Sequence, residues 1–287
     1  MGNLKESIDF FLYRSFGRKQ TIINMSKRVE SAFISLFTKN DRYIVNSIPK
    51  SGTHFIEKLL VNSSRLKRSG FFFSDIHHNR YPRDLSDYQE KIRFLGGKYF
   101  CGAHMPYSIV NKKVIAENKL KQVLLIRDPV DVLVSQYNHC LDRPTNRLHH
   151  VVSKCSTFRE GVDILFDGYS FKGESDYEIP AVTPFIEYYQ SYHKWLEQNE
   201  NFAVVKFENL ISFNDKELWL AELQRLFEFV GARGLSPEEL EAAFSNSYGR
   251  SNTFKSGKIG SWRHSVSTED QKYVDSRLSS LREKFGY

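Results

Sequence analysis

The chain has 287 residues, enough for one large α/β unit and short for two. A 40% hydrophobic content with 23 Phe and 15 Tyr supports a core filled largely by aromatic side chains. Lys and Arg exceed Asp and Glu by 41 to 34, a formal +7 that suits an anionic ligand, but no long basic run argues for a nucleic-acid arm.

Residues 4–16 place Leu4, Ile8, Phe11, Leu12 and Phe16 at helical spacing, and 26–38 repeat the pattern through Val29, Ala32, Phe33, Leu36 and Phe37. Lys5, Glu6, Asp9 and Arg14 argue against a signal peptide. This 1–40 extension has two readings: helices packed on the domain, the preferred one, or a peripheral membrane contact. Tyr43 to Ser47 then forms an apolar strand, followed by Pro49-Lys50-Ser51-Gly52-Thr53 and a helix over 53–62. Small residues in such a turn let backbone N–H groups face a ligand, and the helix start adds a positive dipole end. Lys50 adds a mobile charge, while Ser51 and Thr53 add hydroxyls. The natural occupant is a phosphate. The lysine precedes the only glycine, unlike the order in G-x-x-x-x-G-K-[ST].

Residues 63–92 read as irregular, aromatic and basic. A short strand is expected over 98–103, ending at His104-Met105-Pro106. Lys121 to Ile126 reads as a buried parallel strand that breaks at Arg127-Asp128-Pro129, where a helix begins with Val130, Leu133, Val134 and Tyr137 on one face. Residues 140–180 are polar and weakly periodic, and read as a variable lid or substrate region. A helix over 182–198, a strand over 202–207, helices over 215–231 and 237–246, a Gly/Ser/Lys-rich loop over 249–265 and a helix over 268–284 complete the chain. Strands alternating with helices predict an α/β fold: a P-loop-like parallel β-sheet flanked by helices on both faces, forming one domain over 41–287.

Cys101, Cys140 and Cys155 are too few and too scattered for a disulfide framework, which fits a cytoplasmic protein. No apolar segment approaches a membrane span. His77-His78 and His149-His150 lack the flanking ligands of a metal site, so no metal is expected.

Three phosphate-suited segments occur in order: Pro49 to Thr53, Arg127 to Ser135, and Phe254-Lys255-Ser256-Gly257-Lys258-Ile259-Gly260-Ser261-Trp262. With Gly102-Ala103-His104-Met105-Pro106 they resemble the sulfotransferases that use 3′-phosphoadenosine 5′-phosphosulfate (PAPS). The resemblance spans residues 43 to about 265. It implies sulfuryl transfer to a hydroxyl, less readily an amine, leaving adenosine 3′,5′-bisphosphate (PAP). It assigns Lys50, His104 and Ser135 to the catalytic group, with His104 as general base and His54 as the spare candidate. Lys50, Ser51, Gly52, Thr53 and His54 would hold the 5′-phosphosulfate, and Phe55 would stack on adenine. Arg127, Ser135, Phe254, Lys255, Ser256 and Gly257 would hold the 3′-phosphate end, and Phe207 would line the nucleotide.

The sequence departs from the family at several of these positions. Gly102-Ala103 stands for Lys-Thr, Lys255-Ser256 for Arg-Lys, Phe207 for a tyrosine, and Asp128 for a frequent asparagine. Two other readings compete: a phosphoryl-transfer enzyme with Asp128 on magnesium, and a non-enzymatic nucleotide- or membrane-binding module. The acceptor stays open among small molecule, lipid and saccharide, with no nucleic acid. Phe71, Phe72, Phe73 and Tyr81 suit a ring or lipid, whereas Arg143, Arg147 and Lys154 suit an anionic saccharide.

Overall fold

Tyr43 through Ser47 are all buried, the pattern of a strand covered on both faces. In the computed structural model this strand lies at the centre of a sheet. Residues 25–29, 41–63, 66–74, 92, 95, 99–170, 182–198, 201–250 and 259–287 are described. Five parallel strands form the sheet: β1 (Arg42–Ser47), β2 (Lys67–Ser74), β3 (Tyr99–His104), β4 (Leu120–Ile126) and β5 (Phe202–Lys206). Their order is β2-β3-β1-β4-β5. The chain leaves β1 toward the β2 edge and leaves β4 toward the β5 edge. The two connections diverge, which opens a crevice beyond the carboxyl ends of β1 and β4.

Helices cover both faces. On one lie α1 (Thr53–Ser63), α5 (Lys216–Phe229) and α6 (Pro237–Ser245), packing Ile56, Leu59, Leu223, Phe227 and Phe244. On the other lie α3 (Pro129–Asp142), α4 (Phe158–Asp167) and α7 (Thr268–Lys284), packing Leu133, Val162, Phe166, Val274 and Leu278. A further helix, α2 (Ile109–Glu117), joins β3 to β4. The expected fold class holds: a parallel P-loop-like sheet with helices on both faces.

Several elements depart from the sequence reading. Part of the supposedly irregular 63–92 segment is edge strand β2. Its polar start and Gly70 hide the pattern, and its pairing with β3 shifts register between Arg68 and Phe72. Helix α2 is so weakly amphipathic that only Asn111 and Val114 are buried, so periodicity gives no signal. Its start is fixed by Ser108, whose Oγ accepts from Asn111 N at 3.0 Å. Within 140–180, α4 is held by a Thr157 cap and buries Gly161, Val162, Leu165 and Phe166. The helix expected over 182–198 divides into Phe185–Gln190 and His193–Leu196. Of the N-terminal helices, only a helical turn at 25–29 is described. There Arg28 donates from Nη2 to Gly70 O at 3.2 Å and lies 4.9 Å over the Phe71 ring.

Candidate active site

The turn after β1 carries unusual backbone conformations. Lys50 has φ +71° and Gly52 has φ +101°. The first is uncommon for a residue with a side chain and costs about 1–2 kcal/mol. Ser51 N donates to Ile48 O at 3.1 Å, and Gly52 O accepts from Phe55 N and Ile56 N at 2.9 and 3.1 Å. The amides of Gly52, Thr53 and His54 have no backbone acceptor among the described residues, which leaves them for an anion at the helix start. Ser51 Oγ is buried without a hydrogen-bond partner. Thr53 Oγ1 and Ser47 Oγ lie 2.7 Å apart, tying the helix start to the end of β1.

Gly52 is required on two counts. Its φ suits glycine alone, and a Cβ would come 2.7 Å from Phe207 Cδ2. Gly52→Ala is expected to cost about 2–4 kcal/mol, combining left-handed strain with overpacking. Thermal unfolding checks this, and unchanged stability would refute it.

Beyond β4, Arg127 leans over the Phe207 ring at 4.6 Å and donates from Nη1 to Lys50 O at 3.4 Å. Its ion-pair partner is Asp131, at 3.7 Å. Arg127 Nε is buried with no hydrogen-bond partner. Burial pushes the Asp131 carboxyl up, an effect that Arg127 and the Gly260 N–H oppose. Both Asp131 oxygens accept from Gly260 N at 3.2 Å, docking the end of the basic loop on α3. Ser135 lies one turn further along α3 and lines the same cleft as Arg127 and Trp262. Phe254, Lys255, Ser256 and Gly257 lie outside the described residues.

Asp128 is already engaged. Its Oδ1 accepts from Val130 N at 2.9 Å, capping α3, and its Oδ2 pairs with Arg282 Nη2 at 2.9 Å. Its N–H donates to Glu208 Oε1 at 2.9 Å, and Tyr287 donates to Glu208 Oε2 at 2.9 Å. These residues brace the end of β4 against the C-terminal helix. The carboxylate is therefore occupied as a cap and ion-pair partner, which disfavours it as a magnesium ligand.

His104 ends β3 and is held from two sides. Its Nδ1 lies 2.8 Å from Ser47 O; a carbonyl only accepts, so Nδ1 carries the proton and Nε2 keeps its lone pair. The Phe72 ring meets the imidazole edge-on at 4.9 Å. The turn that follows is tied by Asn46, whose Nδ2 donates to Met105 O and whose Oδ1 accepts from Met105 N, both at 2.8 Å. Trp195 Nε1 also donates to Met105 O, at 3.0 Å. Burial pushes the His104 pKa down to about 4, partly offset by its bond to Ser47 O and the nearby Glu57 carboxylate.

One cleft of about 1080 Å³ brings together Lys50, Gly52, Thr53, His54, Phe55, His104, Arg127, Ser135 and Phe207. Phe55 reaches it at 5% exposure, set edge-on among Phe207, Phe244 and Tyr248. His54 contacts the buried Glu57, Nδ1 to Oε2 at 3.5 Å. The sequence reading missed Ser47, Glu57, Arg68 and Asp131. Only Asp131 carried a signal, one helical turn after Arg127.

The Sulfotransferase domain family matches residues 40–286. Sulfotransferase 2A6 of Mus musculus is 24% identical over 217 residues, 74% of this chain and 67% of that protein. The crystal structure of mouse sulfotransferase SULT7A1 complexed with PAP superposes with a TM-score of 0.55 at 15% identity, covering 84% of each chain. Retinol dehydratase in complex with androsterone and inactive cofactor PAP gives 0.52 at 16% identity, covering 88% of this chain and 84% of that one. A family match over nearly the whole length, on a fold shared with these enzymes, establishes that the chain belongs to the sulfotransferase domain family.

Proposed function

We propose that the protein moves a sulfuryl group from PAPS to a hydroxyl of a small acceptor, with amines as poorer acceptors. One observation carries this reading: the Lys50 turn, Arg127 with Ser135, and His104 with an available Nε2 converge on one cleft. PAPS would supply a sulfuryl group already joined to a good leaving phosphate. The amides of Gly52, Thr53 and His54 and the orphan Ser51 Oγ suit its 5′ end. Arg127, whose Nε lacks a partner, suits its 3′-phosphate together with Ser135 and the 254–257 segment.

The roles follow from the chemistry. The acceptor O–H would give its proton to His104 Nε2 as its oxygen bonds to sulfur, and Lys50 would neutralise the charge left on the departing phosphate oxygen. The catalytic domain is taken as 41–287, with 1–40 as an extension that packs on it. Among the described residues no helix is long and apolar enough to cross a membrane, and cytoplasmic placement is part of this proposal.

Calorimetric titration with PAP tests the reading. The expected result is binding that weakens about tenfold or more in Lys50→Ala, the loss of one charge-assisted contact. Absence of binding by the unmodified protein, or equal binding by the variant, overturns it. A phosphoryl-transfer enzyme is the poorer reading because the Asp128 carboxylate already caps α3 and pairs with Arg282.

A further inference from the structure

Glu57 lies on the second turn of α1, directly behind the phosphate turn, and its side chain is 4% exposed. A buried carboxylate needs a partner. Its strongest one is Arg68 from β2, Nη2 to Oε2 at 3.3 Å. Gly102 on β3 makes room for this arrangement. A Cβ there would overlap Glu57 Oε1 and come 2.8 Å from the Phe72 ring. This wall of the cleft therefore takes its cation from β2, because β3 has no space for one.

The Arg68 fork is only partly used. Its Nε is buried with no hydrogen-bond partner, and its side chain is 31% exposed where it lines the cleft with Phe72 and His104. A guanidinium carries five donors in a plane, matched to the paired oxygens of an oxyanion. Strand order says whose oxyanion. Lys50, Arg127, Ser135 and Phe207 follow β1, β4 and β5, whereas His104 ends β3 and Arg68 lies beyond it on β2. By strand order Arg68 is thus on the other side of β3 from the nucleotide residues; it pairs with Phe100 near the start of β3, and its side chain reaches the cleft from there, on the side the reading above leaves for an acceptor.

We propose that Arg68, braced by Glu57, binds a carboxylate or sulfate group of the acceptor, so that the substrates are acidic hydroxyl compounds. This rests on the sulfuryl-transfer reading above. The two propositions fail separately, because PAP binding tests one and acceptor charge tests the other.

The experiment uses two matched pairs, 4-hydroxybenzoate with its methyl ester and a glucuronate-containing disaccharide with its methyl ester. Transfer from labelled PAPS gives kcat/KM for each, and calorimetry on the PAP-loaded protein gives the affinity of each. The acid member is expected to be favoured by about tenfold or more, the scale of one charge-assisted pair. Arg68→Gln is expected to bring that ratio near one, and Arg68→Lys to keep part of it. Because Arg68→Gln leaves the Glu57 carboxylate with only the weaker His54 contact, the double variant Glu57→Gln/Arg68→Gln serves as the second reading, with PAP affinity as the check on folding.

No preference for either acid in turnover or binding overturns the proposal. So does a ratio unchanged by both variants. A rise in the KM for PAPS with the acid-to-ester ratio intact would place the guanidinium on the donor's sulfuryl group and also overturn it. Failure of the unmodified protein to bind PAP would instead remove the sulfotransferase reading itself.

Discussion

Lys50→Met is expected to lower kcat/KM by about 10²–10³-fold, the scale seen when one donor to a developing oxyanion is removed. Methionine keeps the length of the side chain and removes the ammonium, so the loss reports charge. The backbone gives this position a second reading. Lys50 sits at φ +71°, a conformation that glycine adopts freely. Lys50→Gly should therefore lose activity to the same degree while stability stays level or rises by up to about 1 kcal/mol. Relief of strain and the added freedom of the unfolded chain oppose each other in that figure. Denaturant unfolding and single-turnover kinetics on the same preparations separate the two effects. A Lys50→Gly protein that is clearly less stable would show that the side chain holds the turn together structurally. A Lys50→Met protein within a few fold of wild-type activity would end its role in the transfer.

The sequence carries the side of the cleft built on β1 and β4 and leaves the β2 side largely hidden. Tyr43 to Phe55 is legible because a run buried on both faces, a Pro-Lys-Ser-Gly-Thr turn and a helical pattern lie in one unbroken stretch. Lys121 to Ser135 is legible for the same reason. Helix α7 was found at its observed ends because a Ser267 cap, first-turn acids and Val274, Leu278 and Leu281 agree locally. Edge strand β2 was missed because only some of its residues are buried and a register shift breaks its period. The Glu57–Arg68 pair could not be read at all. The two residues are close only because parallel strands and α1 fold one wall over another, and nothing at positions 57, 68 or 102 declares that contact in one dimension. Asp128 shows the opposite hazard. Its place after an apolar strand suits a metal ligand, but Arg282, distant in sequence, has claimed its carboxylate.

His104→Asn should reduce kcat by about 10²–10⁴-fold, the usual contribution of a positioned general base, and leave PAP affinity within about threefold. Asparagine can still donate to Ser47 O, so the β3 turn, also tied by Asn46 and Trp195, should keep its shape. His54→Asn is the comparison. His54 is half exposed and faces Glu57, so its loss should change kcat far less. Equal losses in the two variants would remove the assignment of the base to His104. The pH dependence separates the residues further. Burial holds His104 near 4 in the free protein, so its Nε2 is unprotonated at every pH above about 5 and this group causes no loss of kcat/KM between pH 8 and 6. The same shift sets a stability trend. Between the unfolded value of about 6.5 and the folded value of about 4, the unfolded chain binds more protons, so stability falls as pH falls through that window. His104→Asn should remove that part of the acid sensitivity. An imidazole signal titrating at 6.5 or higher in the free protein would contradict this burial, and with it the claim that His104 enters the reaction neutral, protonated at Nδ1 and free at Nε2.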